Sequence, residues 1–108
     1  MTTLNATNAA CATSMPEISA EELKKEMASA NPPFLLDVRN QDEFDERRID
    51  GSYLIPLPVL EQRFSELDPH QDIVVHCRLG GRSAKAIKFL QSKGFTKLRN
   101  LIGGIEAY

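Results

Sequence analysis

The sequence has 108 residues, 42% of them hydrophobic and 26% charged, with a net charge of −2. That length is one domain's worth and buries enough surface for one core. The slight acidity argues against a nucleic-acid binder, no apolar run approaches the roughly 20 residues that span a bilayer, and Cys11 and Cys77 lie too far apart, with Cys11 in a polar tail, to suggest a disulfide framework.

Residues 1–15, MTTLNATNAACATSM, carry no Lys or Arg and no continuous apolar stretch, so they lack the parts of a signal peptide. Their composition reads as a disordered tail or inter-domain linker, with residues 16–108 as a single domain. The absence of a leader and of a disulfide framework points to a reducing, cytoplasmic setting. Glu17-Ile18 starts a short strand. Ser19-Ala20-Glu21-Glu22 has the form of a capping box. The helix it opens covers about 20–29, with Leu23 and Met27 on one face, and Asn31-Pro32-Pro33 stops it.

Phe34-Leu35-Leu36-Asp37-Val38 is an apolar run without alternation, the pattern of a strand buried on both faces. Asn40 caps a short acidic helix around Asp42-Glu43-Phe44. Gly51 turns the chain into a short strand, Tyr53-Leu54-Ile55, and Pro56 and Pro58 interrupt it before a helix near 59–66. Asp72-Ile73-Val74-Val75-His76 is the third clear strand. Ser83 to Lys93 is expected to be helical, with Ala84, Ile87 and Leu90 on one stripe and Gly94 at its C′ position. Lys97 to Leu101 forms a further strand, and Gly103-Gly104 opens a last element. Strands alternating with helices imply an α/β fold with a mostly parallel sheet covered on both faces.

Cys77 follows the third strand at its carboxyl end, the edge where open α/β sheets collect ligands. Between it and the helix lie Gly80 and Gly81, which permit conformations other residues resist. A tight loop entering a helix turns several amide N–H groups inward and makes an anion-binding nest, aided by the helix dipole. Arg78 and Arg82 add full charge. A thiol there ionises more easily than its free pKa of about 8.5 suggests. A buried core cysteine before a glycine turn would leave the arginines unexplained. The plain readings are a solvated charge at a helix start for Arg82 and an N-cap for Ser83. His76 precedes Cys77 on a strand, so its side chain is expected to point away from the loop and pack. His70 and His76 have no ligand-spaced neighbours, and no metal site is expected.

These residues resemble a family. Cys77-Arg78-Leu79-Gly80-Gly81-Arg82-Ser83 is similar to the C-R-x-G-x-R-S/T active-site loop of rhodanese-domain sulfurtransferases. Leu36-Asp37-Val38-Arg39 with Glu43-Phe44, Ile49-x-Gly51-Ser52 with Ile55-Pro56, and Leu101-x-Gly103-Gly104-Ile105-x-Ala107 match three further segments in the family's order. The resemblance implies a three-layer rhodanese-like fold with about five strands. It implies Cys77 as the catalytic residue, taking sulfur from thiosulfate or from a protein persulfide such as that of a cysteine desulfurase. Arg82 would bind the anionic part of the donor, Arg78 would add to the field, and the amides from Leu79 through Gly80 and Gly81 to Ser83 would cradle the outer sulfur. Asp37 and Arg39 would form a supporting ion pair.

Arg48-Ile49-Asp50-Gly51-Ser52 resembles in particular the rhodanese domains fused to MoeB/ThiF-type adenylyltransferases, especially the cyanobacterial kind. That version implies a ubiquitin-like sulfur carrier of the MoaD/ThiS type as acceptor, with molybdopterin biosynthesis among its destinations. The domain itself is expected to need no cofactor, with ATP and Zn entering only through a fused adenylyltransferase. Tyr108 stands where the family has Trp, and the chain ends where its last helix continues, so the C-terminus is expected to be truncated. Two alternatives stay open. One is a catalytically silent rhodanese-fold binding module. The other is a cysteine phosphatase, but such enzymes place five residues between Cys and Arg, whereas four lie between Cys77 and Arg82.

Overall fold

The computed structural model describes residues 15–108, so the expected tail, including Cys11, lies outside the described residues except for Met15, which packs against the core. The chain runs β1 (Glu17–Ile18), α1 (Ala20–Met27), β2 (Phe34–Asp37), α2 (Gln41–Glu46), β3 (Tyr53–Leu54), α3 (Leu60–Arg63), β4 (Ile73–His76), α4 (Gly81–Ser92), β5 (Leu98–Leu101) and α5 (Gly104–Ala107). The five strands form one sheet in the order β1-β5-β4-β2-β3, and every neighbouring pair is parallel. The sequence predicts this architecture.

The two faces of the sheet follow from side-chain alternation. Leu36, Ile73, Val75 and Cys77 lie in one cluster with Leu60 of α3 and Ala86, Ile87 and Leu90 of α4. Leu35 and Val74, one residue out of phase, join Ile18, Leu101, Leu23 of α1 and Ile105 of α5 on the other. The register pairs Leu36 with Val75 and Asp37 with His76. Cys77 therefore continues the α4-facing phase of its strand, whereas Asp37 and His76 share the opposite phase.

Ser19 caps α1 by accepting the Glu22 amide at 3.1 Å, half of the expected box. Leu23 is the residue α1 buries completely, and that burial stabilises the fold by about 2 kcal/mol. The expected helix near 59–66 is broken into a 3₁₀ turn over Leu57–Val59, the single turn α3, and a second 3₁₀ turn over Phe64–Glu66. Pro58 lies in the first of these turns and has no amide to donate. The other departure is at α4, which begins two residues earlier than its apolar stripe indicates. Gly80 is its N-cap with φ 127°, a conformation open to glycine. Ser83 thus lies within the first turn and is not the N-cap. No helix among the described residues is long and apolar enough to cross a membrane.

Candidate active site

β2, β4 and β5 are parallel neighbours, so the segments that leave them meet at one edge of the sheet. From β4 comes the loop Cys77–Gly80, which closes directly into α4. From β2 comes Arg39 and then α2. From β5 comes the Gly103-Gly104 turn into α5. That turn seals the back of the loop: the Ile105 amide donates to Cys77 O at 2.9 Å and the Glu106 amide to Arg78 O at 3.3 Å. A Cβ on Gly104 would sit 2.3 Å from Arg78 O, so only glycine permits this approach.

The Cys77 side chain is 2% exposed and lies at the floor of an open depression of about 340 Å³ lined by Cys77, Arg78, Leu79, Gly81 and Arg82. The Gly80 amide donates to Sγ at 3.0 Å, and the Ser83 hydroxyl lies 3.5 Å away. Burial pushes the thiol pKa up. The Ser83 hydroxyl and the amides of Ser83, Gly80 and Leu79 more than offset it, so the net direction is below the ordinary thiol value. The twelve-residue helix α4 begins at this loop and aims the positive end of its dipole at the sulfur.

Ser83 is fully buried and its single hydroxyl proton has more than one acceptor. Its Oγ lies 2.7 Å from Asn100 Oδ1, 3.0 Å from Gly80 O and 3.5 Å from Cys77 Sγ. Asn100 reaches this cluster from β5 and also donates weakly to Gly80 O at 3.4 Å. Sequence reasoning did not single out Asn100. The available signal was a polar residue breaking the apolar pattern of Leu98-Arg99-Asn100-Leu101.

The two loop arginines are both paired. Arg82 makes a two-pronged contact with Glu43 of α2, Nη1 to Oε1 at 2.6 Å and Nη2 to Oε2 at 2.9 Å. Glu43 Oε1 also accepts the Asn40 amide at 2.9 Å, which is the N-terminal cap of α2. The Arg82 contact, with the Asn40 amide behind it, outweighs partial burial and holds the Glu43 carboxyl at about 2. Arg78 points outward, with Nε 3.2 Å from Glu106, which Arg47 also contacts at 3.2 Å. Leu79, 64% exposed, forms the rim.

Asp37 and Arg39 form the expected pair, and both are buried. Arg39 donates from Nε and Nη2 to Asp37 at 2.7–3.1 Å, and its amide donates to Oδ1 at 3.0 Å. The remaining guanidinium donors reach Glu43 O at 3.3 Å and Arg47 O at 2.6 Å. Arg39 thus ties α2, and with it Glu43, to the end of β2. His76 is fully buried as expected, with Nε2 3.5 Å from Asp37 Oδ2 and no hydrogen-bond partner on either ring nitrogen. Burial alone would raise Asp37. The His76 ring and the guanidinium and amide of Arg39 bring it down to about 2. Among the described residues no three His, Cys, Asp or Glu side chains converge as a metal-binding set.

A buried thiol in an amide nest at the head of a helix can accept and hold an anionic sulfur. The comparisons with known proteins agree with the fold and the family. The model for the rhodanese-like domain matches residues 19–108. A sulfurtransferase of Allochromatium vinosum is 33% identical over 92 residues, covering 85% of this chain and 86% of that protein. The adenylyltransferase and sulfurtransferase MOCS3-1 of Zea mays is 36% identical over 98 residues, covering 84% of this chain and 21% of that protein. The crystal structure of a rhodanese-like domain protein from Staphylococcus aureus superposes with a TM-score of 0.82 at 28% identity, covering 86% of this chain and 90% of that one. The chain spans about half, or less, of the length of several curated relatives it matches. Family model, sequence relatives and fold coincide on the segment that carries the Cys77 loop, and the chain belongs to the rhodanese-like domain family.

Proposed function

We propose that this domain is a sulfurtransferase that carries sulfane sulfur as a persulfide on Cys77. The observation that carries the reading is the Gly80 amide donating to Cys77 Sγ at 3.0 Å, inside a loop with four residues between Cys77 and Arg82. The Cys77 thiolate attacks the outer sulfur of the donor. A new S–S bond forms, the donor's S–S bond breaks, and the leaving group departs as sulfite from thiosulfate or as a thiolate from a protein persulfide. The product, Cys77–S–S⁻, is again an anion and is held by the amides of Leu79, Gly80 and Ser83, while Asp37 and Arg39 keep the adjoining segment in place. The chemistry of the domain needs no cofactor of its own.

For the acceptor, the relatives that combine adenylyltransferase and sulfurtransferase in their names favour a sulfur carrier protein with an adenylated C-terminus. The terminal persulfide sulfur attacks the activated carboxyl carbon, AMP leaves, and a thiol reduces the resulting acyl disulfide to release the thiocarboxylate. ATP enters only through the adenylating partner. Intact mass after incubation with a persulfide donor tests the core of the reading. The wild type gains one sulfur atom and Cys77→Ser gains none. A wild type that stays unmodified and shows no sulfur transfer to cyanide would make the domain a binding module instead.

A further inference from the structure

The arginines that flank the nucleophile do not offer it free positive charge. Both terminal nitrogens of Arg82 are committed to Glu43, at 2.6 and 2.9 Å, and Arg78 is engaged by Glu106. Beside the Cys77 depression lies a second one of about 460 Å³, where Arg39, Arg47 and Arg78 face Glu43, Glu46 and Glu106. Three guanidinium groups against three carboxylates leave no net attraction for a small anion. The unpaired positive ends at the site are backbone amides, and these address the sulfur itself.

We propose that Glu43 is a specificity-determining residue whose carboxylate occupies the fork of Arg82, so that the Cys77 pocket disfavours thiosulfate and selects persulfide donors. This rests on the reading of Cys77 as the sulfur acceptor. Thiosulfate brings a sulfonate group that needs a guanidinium or an equivalent donor set. To gain Arg82 it must displace a carboxylate that is already in place. Glu43 is a strong competitor because it is tethered in the same molecule and fixed at its back by the Asn40 amide at 2.9 Å. It stays ionised throughout the neutral range, so pH does not remove it. A persulfide donor places its charge, when ionised, on the sulfur that enters the amide nest, and its leaving thiolate needs no oxyanion site.

The test compares two alkylating probes of nearly equal size and opposite demands, iodoacetate and iodoacetamide, on Cys77. Neither requires sulfur transfer, so the result stands apart from the outcome of the persulfide experiment. In the wild type, the iodoacetate to iodoacetamide rate ratio is at or below that of free cysteine; a ratio well above it contradicts the proposal. Glu43→Gln keeps a cap for α2, because Gln serves at that position as Glu does, but it frees the charge of Arg82. The ratio then rises by about fivefold, the scale of one released partly exposed ion pair, and the KM for thiosulfate falls with little change in kcat. Arg82→Gln removes this gain when combined with Glu43→Gln. An unchanged or lower ratio in Glu43→Gln, a higher thiosulfate KM, or a gain that persists without Arg82 overturns it.

Discussion

Two acidic groups sit at the ends of adjacent strands, and their ionised forms are stabilised in opposite ways. Asp37, at the end of β2, is met by a full charge: the buried guanidinium of Arg39 contacts both of its oxygens. Cys77, just past the end of β4, is met by dipoles: an amide at 3.0 Å, further amides of the loop and a hydroxyl at 3.5 Å. The difference is functional. A carboxylate neutralised by a guanidinium is locked, which suits a corner that must hold α2 in place. A thiolate held by amides keeps its charge and its lone pairs, and under the proposed function the same amides would hold the persulfide that replaces it.

Breaking each site shows what each is for. Asp37→Ala leaves the Arg39 guanidinium buried without its partner, and it is expected to lower the unfolding free energy by about 3–5 kcal/mol. Denaturant unfolding measures this, and a loss under about 1 kcal/mol would mean the pair is not a structural lock. The same corner is sensitive to acid. The folded carboxyl of Asp37 is depressed from 3.8 to about 2. Its stabilising contribution is therefore complete above about pH 4 and is lost as pH falls toward 2, amounting to roughly 2 kcal/mol. Asp37→Asn removes that acid limb from the stability profile, and an unaltered limb would assign it to another group. The smallest effect is at the other site. Ser83→Ala deletes one hydroxyl from the nest and is expected to raise the Cys77 titration midpoint by about half to one pH unit. A midpoint that stays in place would show that the amides act alone.

The sheet was legible from sequence because parallel strands covered on both sides read as apolar runs, and Phe34–Val38 and Asp72–His76 are such runs. The Cys77 loop was legible because its chemistry is local: sulfur, glycines and the start of α4 fall within seven residues. The boundary of α4 was less so. Ser83 looks like an N-cap, but Gly80 takes a φ of 127° and closes the loop sooner. The partners of the loop left no local trace. Glu43 lies 39 residues from Arg82 and Asn100 lies 17 from Ser83, so their contacts exist only once β2, β4 and β5 stand side by side. Sequence assigned Arg82 to the substrate; the fold shows what already holds it.

The most direct measurement is the pH dependence of Cys77 alkylation by uncharged iodoacetamide. If backbone dipoles at the head of α4 stabilise an ionised sulfur, the midpoint falls clearly below the value of about 8.5 for free cysteine. A midpoint at or above that value would mean that burial prevails over the amide nest, and the account of Cys77 as a ready nucleophile would be contradicted.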